Sequence, residues 1–541
     1  MQKSLDFKGY LIYNGYMNTI KTHAELEAEN EQLKKENEEL RALIDWYREQ
    51  FKLAQCRLYG ASSEKDVLPG QLSLFNEAEV CADESLPEPV QEVTITYTRK
   101  KRKGKRDEFY ADLPTEQRIH ELPEEERVCP VCKGDLHACG HEVVRREIEV
   151  VPATIKAVEH VRTVYSCRNC EQNNDGESAV PMEKAQVPNP VIPGSGIASP
   201  SLVAFVLCNK YVMALPLHRQ EEEFKRQDII ISRQTMANWC IYVVLHWLKP
   251  IYALLYDVLM YALNLQADET TTQVIDEPGR KATTKSYMWV YLTGKYEERQ
   301  VVLFEYTETR AGSHPQRFLG GFAKTLNADG YQGYYALEAK GVTLAGCWAH
   351  MRRKFVDALK TVPKDKQKDH PAAVGIAYCD KLFELERTYD EQELSPDERQ
   401  KRRELESKPI ADAFFAWANE LLATTHDKSK LREALVYAVN QQHRLLYFLN
   451  DGRLEISNNR AERAIRPFAI GRNNWKFAYS PEGAHASAVI YSIVETAKAN
   501  GLVPFKYLEF LFETLPNIPP ERYNECLPWH PAVRARCSPS P

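Results

Sequence analysis

The 541-residue sequence has no run of 18 consecutive apolar residues and no apolar core of signal-peptide type near its N-terminus. We therefore expect a cytoplasmic protein with no membrane partner. The sequence also lacks an excess of positive charge, because 70 basic and 76 acidic side chains leave a net charge of −6. This balance argues against a protein that coats nucleic acid wholesale, so any nucleic-acid binding must use local basic patches.

Cysteine is present in an odd number, 13, and four of these residues form two CxxC pairs. In a reducing compartment such pairs favour metal over disulfides, and four thiolates suit a tetrahedral, structural Zn²⁺. Strand-like runs at residues 143–151 and 155–165 lie between the pairs, which predicts a zinc ribbon over residues 126–175. Cys139 and His141 are spare ligands, and four unrelated free thiols are the alternative. The predicted zinc ligands are Cys129, Cys132, Cys167 and Cys170.

A heptad pattern begins at His23, after an N-terminal segment of residues 1–22 that carries no usable motif. Leucines occupy one seam position, and Asn30 and Asn37 occupy the other, where buried asparagine fixes the register of a parallel coiled coil. The pattern predicts a coiled coil over residues 23–60 that joins copies of this chain into a homo-oligomer. A lone amphipathic helix packed on its own domain is the alternative.

Residues 61–125 are predicted to be a flexible basic linker. Periodicity is lost, Pro, Glu and Ser dominate, and a cluster of Arg and Lys fills residues 99–106. Such a cluster attracts DNA phosphates without sequence preference, although a solvated tether that binds nothing has the same composition.

Residues 196–260 are predicted to form a helical DNA-binding domain. Within it, residues 231–239 resemble the second helix of a helix-turn-helix, with Ser232 as its cap. Arg233, Gln234 and Asn238 can then reach base edges. An ordinary helical bundle that links the ribbon to the core is the alternative.

A sheet with two acidic strand ends is predicted for residues 261–358. The expected strands are residues 263–268, 286–293, 300–306, 324–329 and 342–347, with a helix over residues 314–322. This order is that of a ribonuclease-H-like fold. Asp268 closes the first strand and Asp329 the fourth, so both carboxylates can reach one face. With Glu462 they would form a site for two Mg²⁺ or Mn²⁺ ions about 4 Å apart that acts on phosphodiester bonds.

A cationic helix start follows at residues 346–355. Arg352 and Arg353 there suit the positioning of phosphates. His350 either acts on the substrate or on a proton, or is a satisfied structural histidine, and Cys347 is expected to serve packing. Residues 359–451 are predicted to be an all-helical insertion that holds DNA or a partner subunit, with a solvated face at residues 401–406.

The third carboxylate, Glu462, is predicted to lie in a helix that Ser457 or Asn458 caps and Pro467 ends. The alternative role for Glu462 is a surface ion pair with Arg466, four residues further along the helix.

The segment after Pro467 favours a metal ligand for Glu462, because it is rich in phosphate-seeking side chains. The second piece of the catalytic core is thus residues 452–480, and Arg466, Arg472 and Lys476 are predicted DNA contacts. Residues 481–541 are predicted to be a helical tail that becomes disordered after Pro516.

Several long motifs resemble the DDE transposases of the insertion-sequence-66 family, and the resemblance covers nearly the whole chain. They are ADET at 267–270, ADGYQGY at 328–334, CWAHMRRKF at 347–355 and NNRAERAIRPFAIGRNNW at 458–475. The heptads, YGASSEK at 59–65, the CPVC and CRNC pairs, and IYSIVETAKANGLVP at 490–504 are similar to that family as well. The resemblance implies Asp268, Asp329 and Glu462 as catalytic residues. One departure is Ser457, where the family usually has Asp.

The sequence hypothesis is therefore a multidomain α+β transposase that cuts the ends of an insertion sequence and joins the freed 3′-hydroxyls to target DNA. Its partners would be the terminal inverted repeats, the target DNA and, as the resemblance suggests, accessory proteins of the same element. Two alternatives stay open, a non-catalytic zinc-containing DNA-binding regulator and a ribonuclease-H-like nuclease that cuts without joining.

Overall fold

The described parts of the chain belong to two compact units. The computed structural model describes residues 31, 32, 34, 155–166, 182–425 and 428–539. The larger unit comprises Met1–Glu84 and Val191–Ser538, and the smaller comprises Ser85–Pro190 and Pro539–Pro541. The predicted linker and the four zinc cysteines lie outside the described residues, as does the predicted coiled coil apart from residues 31, 32 and 34.

In the smaller unit, two short strands are described. β1 (Val164–Ser166) pairs antiparallel with β2 (Met182–Lys184), so that Tyr165 lies opposite Glu183. The sequence predicted a strand over residues 155–165, but only its last two residues lie in β1. Residues 155–162 are exposed, and no described strand pairs with them. Without a partner strand to hydrogen-bond with, they do not form a strand.

The larger unit begins with the helices that were predicted between residues 196 and 260. They are α1 (Pro200–Tyr211), α2 (Leu217–Arg226), α3 (Arg233–Val243) and α4 (Lys249–Tyr261). Ser199 accepts a hydrogen bond from Leu202 N and Ser232 accepts one from Thr235 N, so both side chains cap their helices.

A turn of π-helix, Val244–Leu248, joins α3 and α4 into one continuous helical stretch. By length and composition alone, Arg233–Tyr261 is long and apolar enough to cross a membrane, with a mean hydropathy of 1.3. No other such helix occurs in the part of the chain that the structure describes. Val243, Leu248 and Leu255 are buried in the main hydrophobic core, which is the role of a core helix, and no membrane protein is indicated.

A five-stranded mixed sheet forms the centre of the larger unit, with strand order β5-β4-β3-β6-β7. β3, β4 and β5 are antiparallel neighbours, whereas β3, β6 and β7 run parallel. The strands are β3 (Asn264–Gln273), β4 (Lys285–Thr293), β5 (Val302–Thr307), β6 (Thr325–Asn327) and β7 (Thr343–Ala345). All five strands were predicted, and helix α5 (Ser313–Phe318) lies where a helix was expected.

The two acidic residues do not lie where the sequence predicted. β3 continues to Gln273, so Asp268 lies in the middle of its strand rather than at its end. β6 ends at Asn327, and Asp329 lies in the loop that follows. β3 is longer than predicted because β4 pairs with it as far as Gln273. The added residues, such as Thr270, are polar and do not alternate with apolar residues, so the sequence pattern did not indicate a strand there.

Hydroxyl side chains cover the free edge of β5. In helix α12 (Pro481–Ala499), Ser492 accepts a hydrogen bond from Phe304 N, and Thr496 both accepts from Val302 N and donates to Val302 O. An edge strand with satisfied backbone groups cannot pair with another chain. The predicted C-terminal tail is therefore part of the main core.

The rest of the C-terminal region is also ordered, which corrects the expectation of disorder after Pro516. The elements are α13 (Pro504–Thr514), the 3₁₀ turns Leu515–Asn517 and Pro520–Cys526, and α14 (Pro531–Cys537), the last element of the described chain. Val533 and Cys537 are fully buried in the main core, and this burial offsets the entropy of ordering a proline-rich stretch.

A second hydrophobic core belongs to the helical insertion. Its helices are α6 (Trp348–Lys360), α7 (Pro371–Glu391), α8 (Pro396–Arg402), α9 (Lys408–Thr424) and α10 (Lys430–Leu445), with 3₁₀ turns at Lys364–Lys366 and Tyr447–Asn450. Trp348, Met351 and Phe355 belong to this core. Helix α6, which precedes the predicted insertion, therefore packs on the core of the insertion helices.

The expectation of a solvated face at residues 401–406 is wrong for Arg403, which is fully buried. A turn of π-helix at Arg403–Ser407 follows α8. Arg403 donates to both carboxylate oxygens of Glu386 at 2.7 Å and to the backbone oxygens of Phe448 and Leu454 at 2.8 Å. A buried guanidinium with all these acceptors is a structural tie between α7 and the end of the insertion.

Helix α11 (Asn459–Trp475) follows the insertion and passes through Pro467, which was expected to end it. A proline inside a helix removes one backbone hydrogen bond. Ile465 and Phe468 on either side of it are buried in the main core, and this packing keeps the helix continuous.

Candidate active site

Asp268, Asp329 and Glu462 come from three separate elements. Asp268 is half-buried in β3, Asp329 follows β6, and Glu462 lies in the first turn of α11. Burial raises the pKa of Asp268 well above its usual range, and the charges of Glu269, Glu462 and Asp329 raise it further. The structure thus brings the three predicted carboxylates into one acidic neighbourhood.

Strand pairing brings the first two carboxylates together. β3 and β6 are parallel neighbours, and Gln266 lies opposite Asn327. Asp268 and Asp329 each lie two residues beyond this pair, at the same end of the two strands. The relationship is fixed by the register of a ladder, which a side-chain change on the surface does not alter.

Hydrogen bonds from its first turn fix α11 over β3. Asn458 Nδ2 donates to Ala267 O at 2.8 Å, and Ala461 N donates to Gln266 Oε1 at 3.3 Å. Of the two residues expected to cap the helix, Asn458 lies at its N-cap, but its side chain makes no capping hydrogen bond, and within the described residues its buried Oδ1 has no partner. Glu462 is one turn beyond Asn458 and is therefore held close to Asp268.

Glu462 contacts cations from the insertion. His350 Nε2 lies 3.6 Å from its Oε1, and Arg353 Nη2 lies 3.4 Å from its Oε2. Glu462 Oε1 is nevertheless buried, and within the described residues it accepts no hydrogen bond. A buried carboxylate oxygen without a donor is costly unless a cation or another donor reaches it.

The donor set fits a hard divalent cation. Three carboxylates supply the oxygen ligands that Mg²⁺ and Mn²⁺ prefer, and one of these oxygens, Glu462 Oε1, has no hydrogen-bond donor within the described residues. Their side chains do not converge on one point, since among the described residues no three His, Cys, Asp or Glu groups are close enough to hold a metal ion.

His350 is not a fully satisfied structural histidine. Its Nδ1 is buried and, within the described part of the chain, has no hydrogen-bond partner. Its Nε2 lies 3.2 Å from Arg353 Nη1 and faces Glu462. Cys347 is buried, as its expected packing role requires, and its Sγ accepts from Asn458 N at 3.2 Å.

A fourth carboxylate, Glu269, was missed by the sequence reasoning. It follows Asp268 in β3, so it points to the opposite face of the sheet, where its side chain is 2% exposed. Arg310 Nε donates to it at 2.7 Å and Tyr334 Oη at 2.8 Å. Burial raises the pKa of Glu269, Asp329 adds to the rise, and Arg310 opposes it. The sequence did contain a signal for Glu269. Neighbouring residues of a strand point to opposite faces, so an acidic residue directly after Asp268 is expected on the other face of the sheet.

Arg310 links Glu269 to the loop that carries Asp329. Its guanidinium lies 3.9 Å from the ring centroid of Tyr331, and Tyr331 Oη donates to Arg310 O. Tyr331 N in turn donates to Asp329 Oδ1 at 2.9 Å. The second carboxylate is thus oriented by a chain of contacts that begins on the far face of the sheet.

The residues predicted to bind DNA lie on or next to three helices, α3, α6 and α11. Arg233, Gln234 and Asn238 are all exposed at the start of α3, where Gln234 Nε2 donates to Asn238 Oδ1. Arg352 is instead paired with Asp380 of α7 at 2.6 Å and ties two helices of the insertion together. Arg353 reaches Glu462.

The three remaining predicted DNA contacts lie on or just after α11. Arg466 is half-buried, and Lys476 is exposed immediately after the helix. Arg472 Nη1 donates to the hydroxyls of Thr270 and Thr271, so it lies beside β3 just beyond Asp268.

Comparison with known proteins agrees with these features. The profile of the Transposase IS66 family matches residues 195–486, which contain all three carboxylates, and the IS66 C-terminal element matches residues 492–529. The zinc-finger binding domain of transposase IS66 matches residues 126–171, which supports a structural Zn²⁺ in this region. A profile described as Transposase C of IS166 homeodomain matches residues 46–118.

Relatives in Sinorhizobium fredii (strain NBRC 101917 / NGR234) extend the match. Uncharacterized protein y4hP is 31% identical over 437 residues, 77% of this chain and 75% of its own. Uncharacterized protein y4qI is 32% identical over 435 residues, 76% of each chain. The matches place the protein among the transposases with DNA-binding and zinc-finger domains. More particularly, the chain belongs to the Transposase IS66 family.

Proposed function

We propose that this transposase cuts DNA at the ends of its insertion sequence and joins the freed 3′-hydroxyls to target DNA, with Asp268, Asp329 and Glu462 as catalytic residues. One observation carries the proposal. Asn458 Nδ2 binds Ala267 O at 2.8 Å, so the helix that bears Glu462 starts over the strand residue that precedes Asp268. This contact joins residues 191 positions apart in sequence, and it holds the neighbouring Asp268 and Glu462 in one acidic neighbourhood.

The strand order supports a ribonuclease-H-like core for this chemistry. Three antiparallel strands are followed by two parallel ones, and the first and fourth strands in sequence carry or precede an acidic residue. The helical insertion lies between Asp329 and Glu462 along the chain, and both carboxylates raise the pKa of Asp268.

Asp268, Asp329 and Glu462 would hold the divalent cations, Mg²⁺ or Mn²⁺. When bound, these cations supply positive charge at the attacking and leaving oxygens of a phosphodiester. The carboxylates orient them, and the free Oε1 of Glu462 is available as a ligand. Arg353 and His350, which now face Glu462, would then be free to contact a phosphate.

The remaining regions would bring DNA to this site. Arg233, Gln234 and Asn238 on the exposed start of α3 would contact the terminal repeats, together with the zinc ribbon. The predicted coiled coil would pair two protomers, which suits an enzyme that brings two DNA ends together, and accessory proteins of the element would complete the assembly.

The test is a strand-transfer assay with full-length protein, Mg²⁺ and DNA carrying the native element's ends. We expect joined product with the wild type and none with Glu462→Gln, while Glu404→Gln, on an exposed surface of the insertion, keeps activity. Cleavage without joining would favour the nuclease alternative. Binding with neither step would favour the DNA-binding regulator.

A further inference from the structure

Two aromatic side chains are exposed just beyond α11. The 476–479 segment contains Phe477, which is 47% exposed, and Tyr479, which is 70% exposed. Its backbone extends the sheet, since Ala478 N donates to Gln273 O at 3.0 Å and Ile275 N donates to Ala478 O at 3.0 Å. Alternate residues of an extended segment share a side, which places Phe477 and Tyr479 on the side opposite Ala478.

The backbone that presents these rings is strained. Lys476 adopts φ 67° and ψ −49°, and its N–H donates to Arg472 O at 2.7 Å. A lysine with positive φ costs about 1–3 kcal/mol, and such residues cluster at functional sites. The strained lysine redirects the chain from the helix to the end of β3 and leaves both rings uncovered.

The cations beside the rings have no acidic partners. Within the described residues, no carboxylate pairs with Lys476 or with Arg472, whose guanidinium donates only to the hydroxyls of Thr270 and Thr271. Burial lowers the pKa of Arg472, because the guanidinium loses water and no nearby anion compensates for that loss. This surface is therefore electrostatically suited to a polyanion.

The same surface is continuous with the candidate active site. Arg463, Arg466, Ile470 and Asn473 follow one another at helical spacing along one face of α11. The helix covers about 20 Å from Glu462 to Trp475 at 1.5 Å per residue, or about six nucleotide steps of a DNA strand. A strand whose phosphate lies at Glu462 can thus reach Phe477.

We propose that Phe477 and Tyr479 form a stacking platform for unpaired nucleotides of the DNA strand that passes through the active site, with Arg472 and Lys476 holding its phosphates. Bases in a duplex hide their faces in the stack, so exposed rings flanked by cations fit single-stranded DNA. The inference rests on the proposed function and adds a binding site at the far end of α11.

The test measures binding without cleavage. Full-length protein carrying Asp268→Asn is titrated with a single-stranded oligonucleotide that contains 2-aminopurine, and with the same sequence as a duplex. Stacking of the base on a ring changes its fluorescence. We expect a change with the single strand, and we expect Phe477→Ala or Tyr479→Ala to remove it and weaken single-strand binding by about 5- to 150-fold.

Two further variants control the result. Phe477→Trp keeps an aromatic face and should retain the signal, and Tyr261→Ala removes another exposed ring, 82% exposed, at the end of α4 and should change nothing. Unchanged fluorescence and affinity in the Phe477 and Tyr479 variants would overturn the proposal, as would a wild type that binds the duplex alone. If the wild-type protein fails to join DNA in the strand-transfer assay while the fluorescence signal is present, the proposed function is contradicted and the platform stands.

Discussion

Asn458 Nδ2 donates a 2.8 Å hydrogen bond to the backbone oxygen of Ala267, the residue before Asp268 in the central strand. The Oδ1 of the same side chain is buried and, within the described residues, has no partner. Asn458 is fully buried, so its amide group couples the start of α11 to β3 without solvent competition. Together with the hydrogen bond from Ala461 N to Gln266 Oε1, this contact holds the first turn of α11, which carries Glu462, over the strand that carries Asp268.

Asn458→Ala should therefore reduce strand cleavage far more than DNA binding. The variant loses the donor to Ala267 O, and a shift of α11 by about 1 Å is enough to lower the rate on the order of 10²-fold. Cleavage kinetics and an electrophoretic binding assay measure the two effects. Asn419→Ala, whose side chain donates only within its own helix to Phe415 O, is the matched control. Equal losses in both assays would mean that the variant is simply misfolded.

Arg310→Lys should weaken the response of the enzyme to Mg²⁺. Lysine keeps the charge beside Glu269 but loses the planar group that lies over Tyr331, so the loop with Asp329 is less well oriented. We expect the Mg²⁺ concentration for half-maximal cleavage to rise on the order of 10-fold.

Arg317→Lys provides the comparison for Arg310, because Arg317 also pairs with a glutamate, Glu305, on the sheet but has no contact with Tyr331. Its Mg²⁺ dependence should match that of the wild type. The positioning role of Arg310 fails if the two variants behave alike.

Arg403→Ala should destabilise the helical insertion strongly. Removal of the fully buried guanidinium leaves the carboxylate of Glu386 with Arg399 alone and two backbone oxygens without donors. Breaking a buried pair in this way costs about 3–5 kcal/mol. Urea unfolding measures the loss, and Arg402→Ala, which removes a half-exposed pair with Glu406, should cost no more than about 1 kcal/mol. A loss for Arg403→Ala as small as that of the control would refute the structural role.

Gly471→Ala should also destabilise the protein. A Cβ there would overlap the ring of Trp475 and lie 2.8 Å from Tyr491 Oη, in a site where both rings are packed. Overpacking of this kind costs about 1–3 kcal/mol. Gly483→Ala, in helix α12, meets no atom closer than Ser480 Oγ at 3.8 Å and should instead stabilise the helix by about 0.5–1 kcal/mol. Thermal unfolding of the two variants should therefore shift in opposite directions.

Local signals in the sequence were sufficient for most of the secondary structure. Strand-like runs predicted all five strands from β3 to β7 in their order along the chain. Ser232 caps α3, as its position before the helix indicates. Boundaries failed where tertiary contacts compete with local preference. Pro467 was expected to stop α11, yet Ile465 and Phe468 are buried and the helix continues. Arg403 was expected in water, yet Glu386 and backbone oxygens hold it in the interior.

The sequence by itself determined the family and nominated the three carboxylates, because long motifs and their order along the chain are properties of the sequence. Only the tertiary structure decided which groups surround those carboxylates. The contacts of Asn458 with Ala267, of Arg310 with Glu269 and of His350 with Glu462 join residues far apart in the chain, and no periodicity or spacing encodes them. Such contacts depend on strand register and on how helices pack over the sheet, which many residues determine together.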